Sequence, residues 1–114
     1  MAALTPQDLF NQILAACTRS SLVEAYTIRT LDPDILSMRV HLVDGSFVEV
    51  FFNATTYRTA FALIVSGQRI YGKDNAKMGW HVHPLNDPQS HLPCSSVSFE
   101  EFLAEIEAIH FPAR

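Results

Sequence analysis

The sequence predicts an α+β fold in which an antiparallel sheet of four or five strands is flanked by an N-terminal and a C-terminal helix. Helical periodicity is confined to the two ends of the chain, and the middle alternates apolar and polar residues with a period of two. Short turns join the successive strands, which makes neighbouring strands antiparallel. We expect both helices to pack on one face of this meander, in a single domain spanning residues 1–114.

Cap signals mark the start of each predicted helix. Thr5 is expected to cap the first helix, with Pro6 as its first residue and Asp8 in its first turn. Ser98 and Glu101 form an S-x-x-E capping box that starts the last helix. Each cap leads into an apolar stripe at helical spacing, which we expect to be buried: Leu9, Phe10, Ile13, Leu14 and Cys17 in the first helix, and Phe99, Phe102, Leu103 and Ile106 in the second.

Period-two alternation predicts the strands between the helices. They are residues 22–31, 35–43, 46–53, 57–65 and 68–73. The pairs Asp44-Gly45 and Ser66-Gly67 are typical of the tight turns that join hairpin strands. The second strand alternates most strictly, and its apolar face is expected to meet the helices (Leu36, Met38, Val40 and Leu42).

The opposite face of the predicted sheet carries Arg29, Arg39 and His41, with Phe51 and Arg58 as further candidates. Cations beside aromatic side chains are typical of sheets that bind RNA, which makes Arg39 a candidate RNA-binding residue. The alternative is the ordinary polar face that antiparallel sheets leave in water. Both interpretations stay open at this stage.

Composition narrows the class of protein. Hydrophobic residues make up 48% of the chain and charged residues 18%, which favours a packed globular core, and the net charge of −4 argues against broad binding to nucleic acid. No apolar run approaches the roughly 20 residues that span a bilayer, so no membrane contact is expected. The N-terminus lacks the basic region of a secretory signal, and Cys17 and Cys94 are the only cysteines. We therefore expect reduced thiols and a cytoplasmic location.

The segment of residues 71–94 concentrates reactive side chains. It holds three of the five histidines, the only tryptophan and one of the two cysteines. Turn-forming residues dominate it, and we predict a long irregular loop, a kind of segment that often carries function. Three interpretations of this segment compete.

The first interpretation is acid–base cleavage of RNA by a metal-independent endoribonuclease. One imidazole accepts the 2′-hydroxyl proton, another protonates the leaving oxygen, and a cation stabilises the charge on phosphorus. The candidates for catalysis are His81, His83 and His91, with Asp74 as the orienting carboxylate and Lys73, Lys77 or Arg69 as the cation. The candidates for RNA binding are Arg39, Arg69, Lys77 and Trp80, whose ring could stack on a base.

The second interpretation is a metal site. Imidazole and thiolate suit zinc, and His81, His83, His91 and Cys94 would make a closed four-ligand site, although their spacing matches no well-marked zinc pattern. The third interpretation is structural. Histidines among turn-forming residues often fix the path of a loop through hydrogen bonds, and Trp80 would then plug the end of the core.

Four features together resemble the TumE-like family of small prokaryotic toxin–antitoxin proteins. They are the hairpin VDGSFVEV, the stretch RIYGKDNA, the histidines that follow it and the closing helix SFEEFLAEIE, covering mainly residues 35–108. Asp74 and Asn75 match the family directly. His81, His83 and His91 match it approximately, because KMGW intervenes and HVHP stands where the family has a run of adjacent histidines.

The resemblance implies a toxin that acts on RNA or translation and is neutralised by a helix-turn-helix antitoxin protein. Our leading hypothesis is therefore the toxin component of such a module, ribonuclease-like and using residues 71–94. The alternative is a non-catalytic interaction module with a structural zinc in the loop and an acidic last helix that docks a basic partner. The edge strands of a short meander also invite self-pairing, so a homodimer is compatible with either function.

Overall fold

A computed structural model describes residues 3–76 and 79–111 and has the expected α+β architecture. Its elements in chain order are α1 (Pro6–Thr18), β1 (Val23–Leu31), β2 (Ile35–Leu42), β3 (Phe47–Asn53), β4 (Arg58–Val65), β5 (Gln68–Asp74), β6 (His81–His83), β7 (Leu92–Pro93) and α2 (Phe99–His110). The strands form one sheet in which each pairs antiparallel with the next along the chain. The predicted meander between two helices is confirmed.

The five long strands begin and end within one residue of prediction, but the predicted total of four or five strands was too low. The described sheet has seven strands, because β6 and β7 form inside the segment that we expected to be an irregular loop. β6 has three residues and β7 has two, which is too short for a period-two pattern to be recognised. β6 pairs with the edge of β5, where His81 lies opposite Asp74 and His83 lies opposite Gly72.

Both predicted capping boxes are present. The Thr5 hydroxyl accepts a hydrogen bond from the Asp8 backbone N–H at 3.0 Å, and the Asp8 carboxylate accepts one from the Thr5 N–H at 3.0 Å. At α2, the Ser98 hydroxyl accepts from the Glu101 N–H at 3.1 Å, and the Glu101 carboxylate accepts from the Ser98 N–H at 2.8 Å. Each box satisfies backbone N–H groups that have no partner within the helix.

We expect Ser98→Ala to lower the free energy of unfolding by about 1 kcal/mol, because the first turn of α2 then loses its side-chain acceptor. Urea denaturation followed by circular dichroism measures the change. Ser96→Ala is the matched control, since Ser96 is an exposed serine just before the helix. An equal loss in both variants would contradict a specific role for the cap.

The core lies between the sheet and the helices. The predicted alternation in β2 is confirmed, since its four apolar residues are buried and the residues between them are half-buried (buried: Leu36, Met38, Val40 and Leu42). The predicted stripe of α2 is buried throughout, whereas Leu14 and Cys17 of α1 are only partly buried. Phe61 of β4 is central to the aromatic packing, with its ring centroid 5.6 Å from that of Phe102 and 5.7 Å from that of Phe99.

Strand register divides the residues of the sheet between two faces, because residues directly opposite on antiparallel strands share a face. We call the face covered by the helices the inner face and the other the outer face. Phe61, Lys73 and Val82 form one row on the inner face. Two rows of paired residues on the outer face end at the histidines of β6. The first row crosses the sheet from β2 to β6 through Arg39, Glu49, Ala62, Gly72 and His83. The second row runs from β3 to β6 through Phe51, Ala60, Asp74 and His81. These histidines therefore point away from the helices.

Candidate active site

Three histidines converge at the β5–β6 edge of the sheet. His81 and His83 stand two apart on β6, so both project from the outer face, and their ring centroids lie 5.1 Å apart. His91 immediately precedes β7, and the pairing of Val82 with Leu92 brings it beside His83. Its ring centroid lies 4.4 Å from that of His83 and 5.1 Å from that of His81. One ligand-forming nitrogen from each ring lies within 4.8 Å of the others, so the cluster could hold a metal ion.

Two turns bring His91 back to the cluster. The Asp87 N–H donates to the Pro84 carbonyl at 3.1 Å, and the Ser90 N–H donates to the Asp87 carbonyl at 3.0 Å. The Arg69 guanidinium donates to the Pro88 carbonyl at 3.1 Å and so ties this connection to β5. The chain can therefore reverse between β6 and β7 within a few residues.

Asp74 connects two of the three histidines. Its Oδ1 lies 3.1 Å from Nε2 of His81, and its Oδ2 lies 3.2 Å from Nε2 of His83. The Ala76 N–H also donates to Oδ1, at 3.0 Å. Because a carboxylate oxygen only accepts, each Nε2 is assigned as a donor. The Asp74 carboxylate therefore fixes the orientation of both rings.

His81 has an acceptor at each ring nitrogen. Its Nδ1 lies 3.1 Å from the Gly79 carbonyl oxygen, and its Nε2 faces Asp74. In the imidazolium form of His81, both nitrogens would donate, one to the Gly79 carbonyl and the other to Asp74. A protonated imidazole is the form that can act as a general acid.

His83 has a buried nitrogen without a partner. The residue is 2% exposed, and within the described part of the chain its Nδ1 has no hydrogen-bond partner. With the proton on Nε2, facing Asp74, Nδ1 carries a lone pair. Buried polar atoms are nearly always paired, so a lone pair left unused in a cavity is a position for a ligand.

The pKa of His91 lies below its ordinary value of 6.5. The largest cause is the loss of hydration around the ring, and repulsion from His83, His81 and Arg69 acts in the same direction, while Asp74 opposes it. Lowering the pKa favours the neutral ring. A neutral imidazole can accept a proton.

A cavity of about 490 Å³ opens over this cluster. The three histidines line it together with Asp74, Trp80, Arg58 and Arg69. Trp80 also packs on the core, with its ring centroid 6.5 Å from that of Phe61. The structure thus brings together six of the residues predicted from sequence: His81, His83, His91, Asp74, Arg69 and Trp80.

Lys73 lies on the other side of the sheet from the histidines. Adjacent residues of a strand point to opposite faces, so Lys73 projects from the inner face although Asp74 projects from the outer one. Its ammonium donates to Oε2 of Glu105 in α2 at 2.8 Å, and the Tyr71 hydroxyl donates to Oε1 at 2.9 Å. Lys73 therefore anchors α2 to β5 and does not join the predicted site.

Three other residues predicted from the sequence are not shown at the histidine cluster: Arg39, Cys94 and Lys77. Arg39 is on β2, where its Nε donates to Glu49 at 2.8 Å and its guanidinium lies 4.4 Å from the centroid of Phe47. Among the described residues, the ligand atoms that cluster within 4.8 Å of one another are those of His81, His83 and His91, without Cys94. Burial raises the pKa of the Cys94 thiol. Lys77 falls outside the described residues.

The sequence did not assign four of the lining residues to the site, Arg58, Ala76, Gly79 and Pro93, and it gave no structural role to Asn75, which supports the site. Arg58 of β4 lines the cavity, although β4 is not adjacent to β6. Asn75 joins β5 to β4: its side-chain oxygen accepts from the Thr59 N–H at 2.7 Å, and its amide donates to the Tyr57 carbonyl at 2.8 Å. The match of Asp74 and Asn75 to the family pointed to Asn75. For Arg58, the sequence indicated only a position on the outer face.

Comparison with known proteins identifies one family. Residues 10–110 match the profile of the family described as Toxin TumE, which extends the resemblance that we drew on residues 35–108. The search of curated proteins found no match, and the search of solved structures found none. None of the helices in residues 3–76 and 79–111 is long and apolar enough to cross a membrane. Because the family profile covers most of the chain, this protein belongs to the TumE toxin family.

Proposed function

We propose that this toxin acts by cleaving RNA, through acid–base catalysis by its histidine cluster and without a metal ion. The observation that carries the proposal is the convergence of three imidazoles on one cavity, with Asp74 orienting two of them. Arg58 and Arg69 line the same cavity. Imidazoles beside guanidinium groups supply the proton transfers and the positive charge that phosphodiester cleavage needs.

The two proton transfers are assigned to different histidines, His91 as the base and His81 as the acid. His91, whose ring has no described hydrogen-bond partner, accepts the proton of a ribose 2′-hydroxyl as the 2′-oxygen bonds to phosphorus. The bond from phosphorus to the 5′-oxygen then breaks. Protonated His81 donates a proton to that oxygen when it takes the place of one of the two acceptors around the ring. The products are a 2′,3′-cyclic phosphate and a 5′-hydroxyl.

Arg69, already a candidate for the cation from the sequence, takes that role together with Arg58, and Lys73 does not. A phosphoryl group gains negative charge as the 2′-oxygen attacks, and guanidinium groups nearby stabilise that charge. Lys73 is held on the inner face by Glu105, so the cations on the cavity side supply this charge instead. His83 keeps Asp74 and His91 in place through its contacts with both.

The purified toxin is expected to cleave a single-stranded RNA in EDTA, leaving 2′,3′-cyclic phosphate ends. An oligonucleotide with one ribose among deoxyriboses should be cut only after that ribose, because the attacking oxygen is the 2′-hydroxyl. Mass spectrometry of the fragments identifies both ends. Cleavage that stops in EDTA, or that occurs equally in an all-deoxy oligonucleotide, would contradict the proposal.

A second candidate function is zinc binding at the same cluster, in a module that binds other proteins and catalyses nothing. The observation that favours it is the buried, unpartnered Nδ1 of His83, with Asp74 on the opposite nitrogen of the ring. A carboxylate that holds the far nitrogen of a ligating imidazole is a common feature of zinc sites. Cys94 would not take part, since it lies outside the group.

Under this second candidate function, zinc binding is expected to reach one ion per chain and to be lost in His83→Gln. Elemental analysis after dialysis against zinc measures the stoichiometry. Cys94→Ser is the matched control and should retain the ion. Protein that leaves dialysis without zinc, in buffer free of chelator, would remove this candidate.

Membership in a toxin family indicates an antitoxin partner. We propose that this partner is a helix-turn-helix protein, that the toxin acts on RNA in the cytoplasm, and that β1, the long edge strand of the described sheet, is available for a homodimer contact. Co-expression with the product of a neighbouring helix-turn-helix gene should relieve growth inhibition and yield a complex that co-purifies. Sedimentation analysis of the free toxin reports its oligomeric state.

A further inference from the structure

The outer face has a strip of small residues between the histidines and the aromatic side chains of β3. It consists of Ala60 and Ala62 on β4 and Gly72 on β5, which we call the trough. In one outer row Ala62 and Gly72 separate Glu49 of β3 from His83 of β6, and in the other Ala60 and then Asp74 lie between Phe51 and His81. Neighbouring strands lie about 4.8 Å apart, so the trough lies within a span of about 14 Å from β3 to β6.

Gly72 leaves room for the Arg69 side chain at the floor of the trough. A Cβ at residue 72 would lie 3.1 Å from the Phe61 carbonyl oxygen and 3.4 Å from Cδ of Arg69. The first distance is tighter than ordinary packing, so a larger residue would force a shift of the backbone or of the arginine. The absence of a side chain at Gly72 thus keeps the floor low and lets Arg69 lie beside it.

On the side of the trough farthest from the histidines, which we call its wall, an aromatic ring lies next to a cation. Phe51 is half-buried, and the Arg58 guanidinium lies 5.7 Å from its ring centroid. Arg58 also lines the cavity that holds the histidines, so its guanidinium connects this wall with the histidine cluster. An aromatic face next to a guanidinium is an arrangement on which nucleic-acid bases stack, with the cation close to the phosphate.

Charge separates the two faces of the protein. The outer face includes four arginines, Arg29, Arg39, Arg58 and Arg69, together with the carboxylates of Glu49 and Asp74. Glu49 is already paired with Arg29 and Arg39, at 3.7 and 2.8 Å. The excess acid of a chain with net charge −4 lies elsewhere, including four glutamates on α2. An anionic ligand is therefore favoured on the outer face.

We infer that single-stranded RNA lies across the trough, with one base stacked on Phe51 and the backbone phosphates between Arg58 and Arg69. This inference rests on the proposed function, because it takes the strand to the histidines as the substrate of the same site. Only an unpaired base can leave its neighbours and stack on a side chain, which excludes duplex RNA as the preferred ligand. Substrate selection is then by strand state and not by base sequence.

The test measures the affinity for RNA in a variant of the toxin that cannot cleave RNA. His91→Ala protein is titrated into a fluorescently labelled single-stranded RNA, and anisotropy gives the Kd. Adding Phe51→Ala is expected to weaken binding about 5- to 150-fold, the range for loss of one stacked base. Adding Ala60→Leu, which fills the trough without changing charge, should weaken binding as well. Adding Arg58→Gln should lower the slope of log affinity against log salt by about 0.7, the value for one phosphate contact.

Tyr26→Ala is the matched control, since Tyr26 is an exposed aromatic residue on the inner-face side of β1. It should leave RNA affinity unchanged. Equal affinity in the parent, Phe51→Ala and Ala60→Leu proteins would overturn the inference, and so would tighter binding of duplex RNA.

Cleavage and affinity measurements together distinguish failure of this inference from failure of the proposed ribonuclease activity. If the unmodified toxin cleaves RNA but Phe51→Ala and Ala60→Leu leave KM unchanged, RNA does not bind across the trough, while the proposed ribonuclease activity is retained. If nothing is cleaved but affinity depends on Phe51 and Ala60, the trough stands and the ribonuclease is wrong. If RNA is neither cleaved nor bound, both are wrong.

Discussion

His91→Ala is expected to lower the rate of RNA cleavage by about 100- to 10,000-fold and to abolish growth inhibition on expression. The variant loses one of the two proton-transfer groups, and general acid–base groups contribute about that much to a rate. His91 is exposed, and its described contacts are with the rings of His81 and His83, so its removal should leave the free energy of unfolding unchanged. Single-turnover cleavage and urea denaturation measure the two effects.

His41→Ala is the matched control for this prediction. His41 also lies on the outer face, but on β2, where its Nε2 is 2.9 Å from the Thr27 hydroxyl. Its removal should affect neither cleavage nor toxicity. A double variant, His81→Ala with His83→Ala, should be as inactive as His91→Ala. A toxin that stays fully active without His91, or without His81 and His83, would show that the chemistry lies elsewhere.

Phe61→Ala is expected to have the largest effect on stability, about 3–5 kcal/mol of unfolding free energy. Phe61 is 2% exposed, and its ring contacts those of Phe99, Phe102 and Trp80. The truncation leaves a cavity between β4, α2 and the start of β6. Because small domains are stable by only about 5–15 kcal/mol, the variant approaches the limit of folding.

Urea denaturation with the midpoint and slope fitted separately measures this loss. Tyr26→Ala provides the comparison, because Tyr26 is 44% exposed and its ring makes an edge contact with Phe10. Its cost should be well below that of Phe61→Ala. A similar cost in both variants would mean that the aromatic cluster around Phe61 contributes little to the core.

The sequence predicted most of the fold because its signals are local and repeated. The capping residues Thr5 and Ser98 mark helix starts through contacts that span three residues, and the alternation in β2 continues through the whole strand. β6 and β7 escaped prediction because their stability comes from pairing with β5, a contact between segments that local pattern does not contain. Short strands of this kind are specified by their neighbours more than by their own residues.

The site was predicted in part for the same reason. The spacing of two between His81 and His83 correctly put both rings on one side, and Asp74 joined them because it lies opposite His81. The approach of His91 depends on the turns between β6 and β7, which no spacing rule determines. Lys73 was placed in the site because it is adjacent to Asp74 in sequence. Since β5 continues to Asp74, that adjacency puts the two side chains on opposite faces.

Because β6 and β7 are paired over only a few residues, their pairing sets the fraction of toxin molecules in which the histidine cluster is assembled at any moment. β6 is joined to β5 through three residue pairs, and β7 to β6 through two. Detaching this edge breaks only the few backbone hydrogen bonds of these pairs and leaves the other strands paired, so it requires less free energy than global unfolding. The histidine cluster can therefore come apart in a molecule whose core is intact. The population with the cluster assembled then sets the upper limit of activity, and a ligand that binds across the three rings raises that population.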